Sequence, residues 1–126
     1  MKNNSLDGNE ALGIFSQLGN CVIKNITIEN LYISCNIYAG AFSGVCHGNP
    51  SFENCSVINA YIQSGDGQYS GSFIGCQHFG TGTTYLKNCN ASTQLAGRPG
   101  DNFCGELWRG NTSQVNCTFT AATYRP

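Results

Sequence analysis

Charge is what this sequence has least of. Only 10% of its 126 residues are Asp, Glu, Lys or Arg, against about a quarter in an average soluble domain, so solubility has to rest on uncharged polar groups. The six basic residues are scattered and the formal net charge is -1, which excludes the clustered positive field that nucleic acid or an anionic membrane surface requires. Long apolar runs are missing as well. None approaches the roughly 18 residues of a membrane span, and Met1 to Glu10 lacks the apolar stretch of a signal peptide. On that reading the chain is either cytosolic or a mature piece whose leader has been removed. Helix formers are scarce, no long stretch repeats its apolar residues at helical spacing, and helices are therefore not expected.

What is abundant is Asn, Ser, Thr, Gly, Ile and Tyr, a composition of strands and turns. The length suits one domain, and the chain repeats along it. A Phe among small residues recurs in Gly13-Ile14-Phe15-Ser16, Gly40-Ala41-Phe42-Ser43-Gly44, Gly71-Ser72-Phe73-Ile74-Gly75 and Asn102-Phe103-Cys104-Gly105. Phe15, Phe42, Phe73 and Phe103 thus step by 27, 31 and 30. Each is followed by an Asn that opens a strand-like run: Asn25-Ile26, Asn54-Cys55, Asn88-Cys89 and Asn116-Cys117, stepping by 29, 34 and 28. The length variation falls around Gly48-Asn49-Pro50 and Gly80-Thr81-Gly82-Thr83. A period near 30 with short strands and Gly-rich turns is too short for a propeller blade and lacks the leucines of a leucine-rich repeat. It predicts an all-β fold, a right-handed parallel β-helix (β-solenoid) of about four coils, with residues 1–12 as a polar N-terminal tail or partial cap and residues 13–126 as a single solenoid domain.

Stacked coils turn equivalent residues into columns, which predict side-chain direction. Ile23, Phe52 and Leu86 stand two before the Asn; Ile26, Cys55, Cys89 and Cys117 one after it; Ile28, Val57, Ala91 and Phe119 three after it. These read as inward columns, and their odd interval across the Asn places a corner there. Stacked corner asparagines can form a hydrogen-bonded ladder, and such residues are expected to be buried. Lys24, Glu53 and Lys87, just before the Asn, alternate in sign and read as an outer salt-bridge column.

The pattern Gly-x-Phe-x-Gly, a polar loop, then Phe52-Glu53-Asn54-Cys55 or Leu86-Lys87-Asn88-Cys89 resembles the GLUG-type repeat, over about Gly13 to Thr120. The resemblance implies a parallel β-solenoid forming a stretch of a larger secreted or surface protein, such as adhesins and the accessory regions of bacterial immunoglobulin A proteases. It offers Phe and Ser43 or Cys104 where the family has Leu or Ile and Val, and it carries no catalytic residues.

Of the eight cysteines, Cys55, Cys89 and Cys117 read as stacked inward hydrophobes. Cys46 and Cys76 read as a second column beyond the Phe. Stacked Cα atoms about 4.8 Å apart allow a disulfide between Cys55 and Cys89 or Cys46 and Cys76 in an oxidising compartment. Cys46-His47 with Cys76-Gln77-His78 has the composition of a zinc site, but neighbours along a strand face opposite sides, so no metal or other cofactor is expected. The seven acids do not share a column, and no Cys-His pair is poised as nucleophile and base, so no catalytic residue is assigned and no enzyme is expected. Asn-x-Ser/Thr sequons at Asn3, Asn25, Asn54, Asn90, Asn111 and Asn116 read mostly as a by-product of the repeat. Tyr32 and Tyr61 share a column, and with Trp108 they are the residues that could stack on a sugar ring.

The function these features suggest is a non-catalytic structural or adhesive module of an extracellular or cell-surface protein. Its partners would be copies of itself stacked end to end into filaments, or neighbouring repeats of a longer chain, with a glycan or host-surface ligand as a further partner. The alternative is a carbohydrate-binding or carbohydrate-processing β-helix fragment. The end at Tyr124-Arg125-Pro126 offers little for a cap, so the ends are where association is expected.

Overall fold

The computed structural model describes residues 11–15, 17–77, 82–106 and 111–126 in full, and residues 4–8 and 107 by their backbone. Among the described residues the fold is all-β, with 60% strand and no helix, a parallel β-solenoid of about three turns with a period of about 29 residues. The Phe and Asn marks suggest about four coils, and the structure has about three turns.

The longest sheet holds β1 (Asn4–Gly8), β3 (Thr27–Cys35), β7 (Ser56–Gln63), β11 (Asn90–Ala96) and β14 (Thr118–Ala121), stacked in that order. A second sheet stacks β2 (Val22–Lys24), β6 (Ser51–Glu53), β10 (Thr83–Lys87) and β13 (Asn111–Val115). A third stacks β5 (Ser43–Cys46), β9 (Ile74–Gln77) and β12 (Cys104–Leu107), and a short fourth pairs β4 (Ala39–Gly40) with β8 (Ser70–Gly71). Asn4–Gly8 is therefore a rung, in parallel register with Leu31–Cys35.

The corner between the second and the long sheet is made by Asn25, Asn54, Asn88 and Asn116, all in the left-handed region with φ of 59°, 55°, 54° and 55°. Asn tolerates this conformation because its short amide can hydrogen-bond locally. The turn sends the Asn side chain outward and the next residue inward. This corrects the expected burial of the ladder: Asn25, Asn54 and Asn116 are exposed and Asn88 half-buried, while Cys55 and Cys89 are fully buried. The amides still pair along the column, Asn54 Nδ2 donating to Asn25 Oδ1 at 3.2 Å and Asn116 Nδ2 to Asn88 Oδ1 at 2.7 Å.

The core lies inside the coils. Phe42, Phe73 and Phe103 form its axis, with centroids 4.9 and 5.3 Å apart, and Phe52 packs against the first two. Phe15 heads the same column, its N–H bonded to Phe42 O, but with no described pass beyond it the ring is 46% exposed. Ile26 is likewise exposed, against the inward expectation, for the same reason. Ile33, Ile62 and Leu31 of the long sheet close the core from the opposite side.

The reason for Gly-x-Phe-x-Gly is a backbone contact. The chain reverses at each Phe so tightly that the arms before and after it touch. A Cβ on Gly40 would stand 2.6 Å from Gly75 N, and one on Gly75 2.6 Å from Ala39 N. The first Gly of one coil thus faces the second Gly of the next.

The chain end behaves differently from a cap or a tail. Beyond β14, Ala122 N donates to Thr93 O, Tyr124 N to Gln94 Oε1 and Arg125 N to Asn59 Oδ1, while Asn59 Nδ2 donates back to Arg125 O. Residues 122–126 are a strap that crosses the outer face of the long sheet, from the last pass to the second.

Candidate functional sites: the tyrosine face and the two ends

The first candidate is the tyrosine column. Tyr32 and Tyr61 are in register on β3 and β7, and their rings stack at 5.1 Å and 16°. The strap then lays Tyr124 against both, tilted, with centroids at 6.0 and 6.3 Å. Tyr32 and Tyr61 thus each give one face to the other, and Tyr124 lies tilted against both. Trp108, the third aromatic singled out, lies outside the described residues, as do His78, Arg109 and Asn3. Nothing periodic announces Tyr124, because it reaches the column through a strap rather than a coil.

The cysteines separate into groups. Cys55, Cys89 and Cys117 follow the corner Asn and aim inward, each thiol donating to two carbonyls. Cys89 Sγ, for example, lies 3.4 Å from Lys87 O and 3.6 Å from Phe52 O of the preceding coil. Cys117 repeats this with Val115 and Leu86, and Cys55 with Glu53 and Ile23. All eight thiols are free. The expected Cys46–Cys76 column does not exist, because Cys46 is in register with Gln77, and Cys76 with Val45. Cys76 stands outside the main core, beneath Tyr38 and beside Glu106. Burial first, then the Glu106 charge, pushes its thiol up to about 12. Tyr38 is pushed up to about 12 by burial and then by Cys76 and Glu106. A thiol held neutral at pH 7 is a poor nucleophile, which suits packing rather than chemistry. Among the described residues no group of three His, Cys, Asp or Glu could hold a metal.

Two more asparagine stacks escaped the sequence reading. Asn30 and Asn59 adopt φ of 58° and 54° within β3 and β7, and Asn59 Nδ2 donates to Asn30 Oδ1 at 2.8 Å. At another corner Asn20 Oδ1 accepts from Asn49 N at 2.7 Å, and Asn49 Oδ1 from Thr83 N at 2.8 Å. In each the two asparagines are 29 residues apart, a spacing that could have revealed them.

The second candidate is the pair of solenoid ends. At one end, Ile14, Phe15, Val22 and Ile26 are exposed, and they border a groove floored by Ile28 and Phe42. There, among the described residues, β2 is an edge strand and β1 pairs with Leu31–Cys35 of β3. At the other end β13 and β14 are edge strands, Val115 is 56% exposed, and β14 leaves Gln94–Ala96 of β11 unpaired in this sheet beyond Thr93. The charge column keeps its register, Lys24 against Glu53 against Lys87, with Lys24 Nζ 3.8 Å from Glu53 Oε2. An exposed pair of this kind contributes under about 1 kcal/mol.

The five sequons whose Asn is described are at Asn25, Asn54, Asn90, Asn111 and Asn116, and all five side chains are exposed. The amides of Asn54 and Asn116 are held by the corner ladder, and Asn90 Oδ1 accepts from Thr118 Oγ1. Comparison with family models, with curated proteins and with solved structures finds no match to this chain.

Proposed function

We propose that this chain is a structural, non-catalytic β-solenoid module of a secreted or cell-surface protein, whose working surfaces are its two ends. One observation carries the reading: among the described residues, parallel edge strands and exposed apolar side chains lie together at both ends of the stack. An uncovered parallel edge beside exposed Val22, Ile26 and Phe15 is a template for a further rung. The sequence resemblance to GLUG-type repeats supports the surface setting, and the packing of Tyr32 and Tyr61 against each other and Tyr124 supports a structural use of these rings. Sedimentation velocity of the 126-residue chain tests it. Association that grows with concentration is expected; a single monomeric species at several hundred micromolar would overturn it.

A further inference from the structure

Away from the ends, the outer face of the second sheet carries a pattern of charge and size that is complementary to itself. We propose that a second copy docks on this face about a two-fold axis parallel to the strands, so that β6 of each copy faces β10 of the other.

Ile23, Phe52 and Leu86 turn into the core, so the residues on either side of them in β2, β6 and β10 turn outward. The registers align these with β13 in two columns. One runs Val22, Ser51, Tyr85, Ser113 and the other Lys24, Glu53, Lys87, Val115. Val22, Tyr85 and Val115 are 63%, 48% and 56% exposed, so three large apolar side chains meet solvent on this one face. Tyr85 has only serines beside it in its column, and a recess of about 270 Å³ lies between it, Glu53, Lys87 and Val115. Lys24 pairs with Glu53 at 3.8 Å, whereas Lys87 makes no ion pair among the described residues.

A half-turn about the strand direction keeps each column and reverses the order of the rungs. Centred between β6 and β10, it sets Glu53 of one copy against Lys87 of the other, and Lys87 against Glu53, two symmetric pairs of opposite charge. The same half-turn sets Tyr85 against Ser51 and Val22 against Ser113, large against small, and Lys24 against Val115. No like charges oppose, and this complementarity selects a second copy as the occupant. A half-turn about the stacking axis would instead set Glu53 on Ser51 and Lys87 on Tyr85, with no pair of opposite charges across the contact. The proposed contact is isologous and closes as a dimer, with the strands of the two sheets aligned as face-to-face sheets prefer. Four strands about 4.8 Å apart offer a footprint of about 250 Å² per copy, well under the roughly 800 Å² per partner of a standard interface, so the dimer is weak. It uses side chains of the face and leaves the strand edges at the two ends untouched.

Sedimentation equilibrium of the full chain and two charge variants, in reductant, tests the pairing. Glu53→Lys alone and Lys87→Glu alone each bring like charges face to face across the axis, and each is expected to weaken dimerisation about tenfold or more. An equimolar mixture of the two variants restores both opposite-charge pairs and is expected to dimerise as the parent does. Variants that associate like the parent would overturn the face pairing and assign association to the ends, which neither substitution alters. Weakened variants whose mixture fails to recover would overturn the Glu53–Lys87 alignment, and a parent chain that stays monomeric would overturn the pairing outright. Circular dichroism checks that each variant folds. Where one does not, Tyr85→Ala, which only shortens an exposed side chain, takes its place: weaker dimerisation is expected, and an unchanged dimer constant would overturn the proposal.

Discussion

At the scale of single residues, the asparagines carry the fold. A left-handed corner is costly for most side chains, by about 1–2 kcal/mol, and Asn relieves it while adding a bond to its neighbour. Asn54→Gly keeps the φ of 55° accessible and loses the side-chain bond, so a loss of about 1 kcal/mol is expected in urea melts. Asn54→Val adds the strain of a branched side chain and is expected to cost about 1–2 kcal/mol more; equal stability of the two variants would contradict the corner assignment. The thiols make a second prediction. Burial lifts Cys46 and Cys89 to about 11 and Cys76 to about 12, from an ordinary 9.0. The native state thus favours neutral thiols. Their contribution is fully present below pH 9 and is lost as pH rises from 9 towards 12. The melting temperature should be level up to about pH 9 and fall above it; a level profile to pH 11 would contradict this.

At the scale of elements, the reversal at each Phe is the tightest feature. Gly75→Ala places a methyl group against Ala39 and Gly44, the backbone on both sides of Phe42 in the preceding coil, and is expected to cost about 1–3 kcal/mol or more. Gly67, with φ of 73° and nothing near its Cβ, provides the comparison: Gly67→Ala should cost about 1–2 kcal/mol of backbone strain alone. Matching melts for the two would remove the close-contact explanation. Much of this was legible in the sequence, because solenoid columns repeat the same physical demand at each pass. The corner at Asn25, Asn54, Asn88 and Asn116 could be read from apolar residues at odd spacing. The side of the corner could not, since it follows from the left-handed φ rather than from the pattern. Cys46 and Cys76 were matched by residue type, although one stands four residues after its Phe and the other three. The Asn30–Asn59 stack was hidden because β11 skips that position, its register shifting between Ser92 and Thr93. The strap of Tyr124 and Arg125 belongs to no column and had no periodic signal.

At the scale of the whole molecule, the shortage of charge follows from the architecture. Identical positions recur about every 4.8 Å along a column, so stacked like charges would repel, and neutral Asn, Ser, Thr and thiol groups satisfy the backbone instead. The charged column of Lys24, Glu53 and Lys87 alternates in sign. The same regularity leaves both ends able to receive another rung, which is the basis of the proposed function. Helical reconstruction from electron micrographs of the concentrated chain tests this most directly. The account predicts filaments of copies stacked end to end, with rungs about 4.8 Å apart along the axis. Isolated particles at every concentration would contradict stacking.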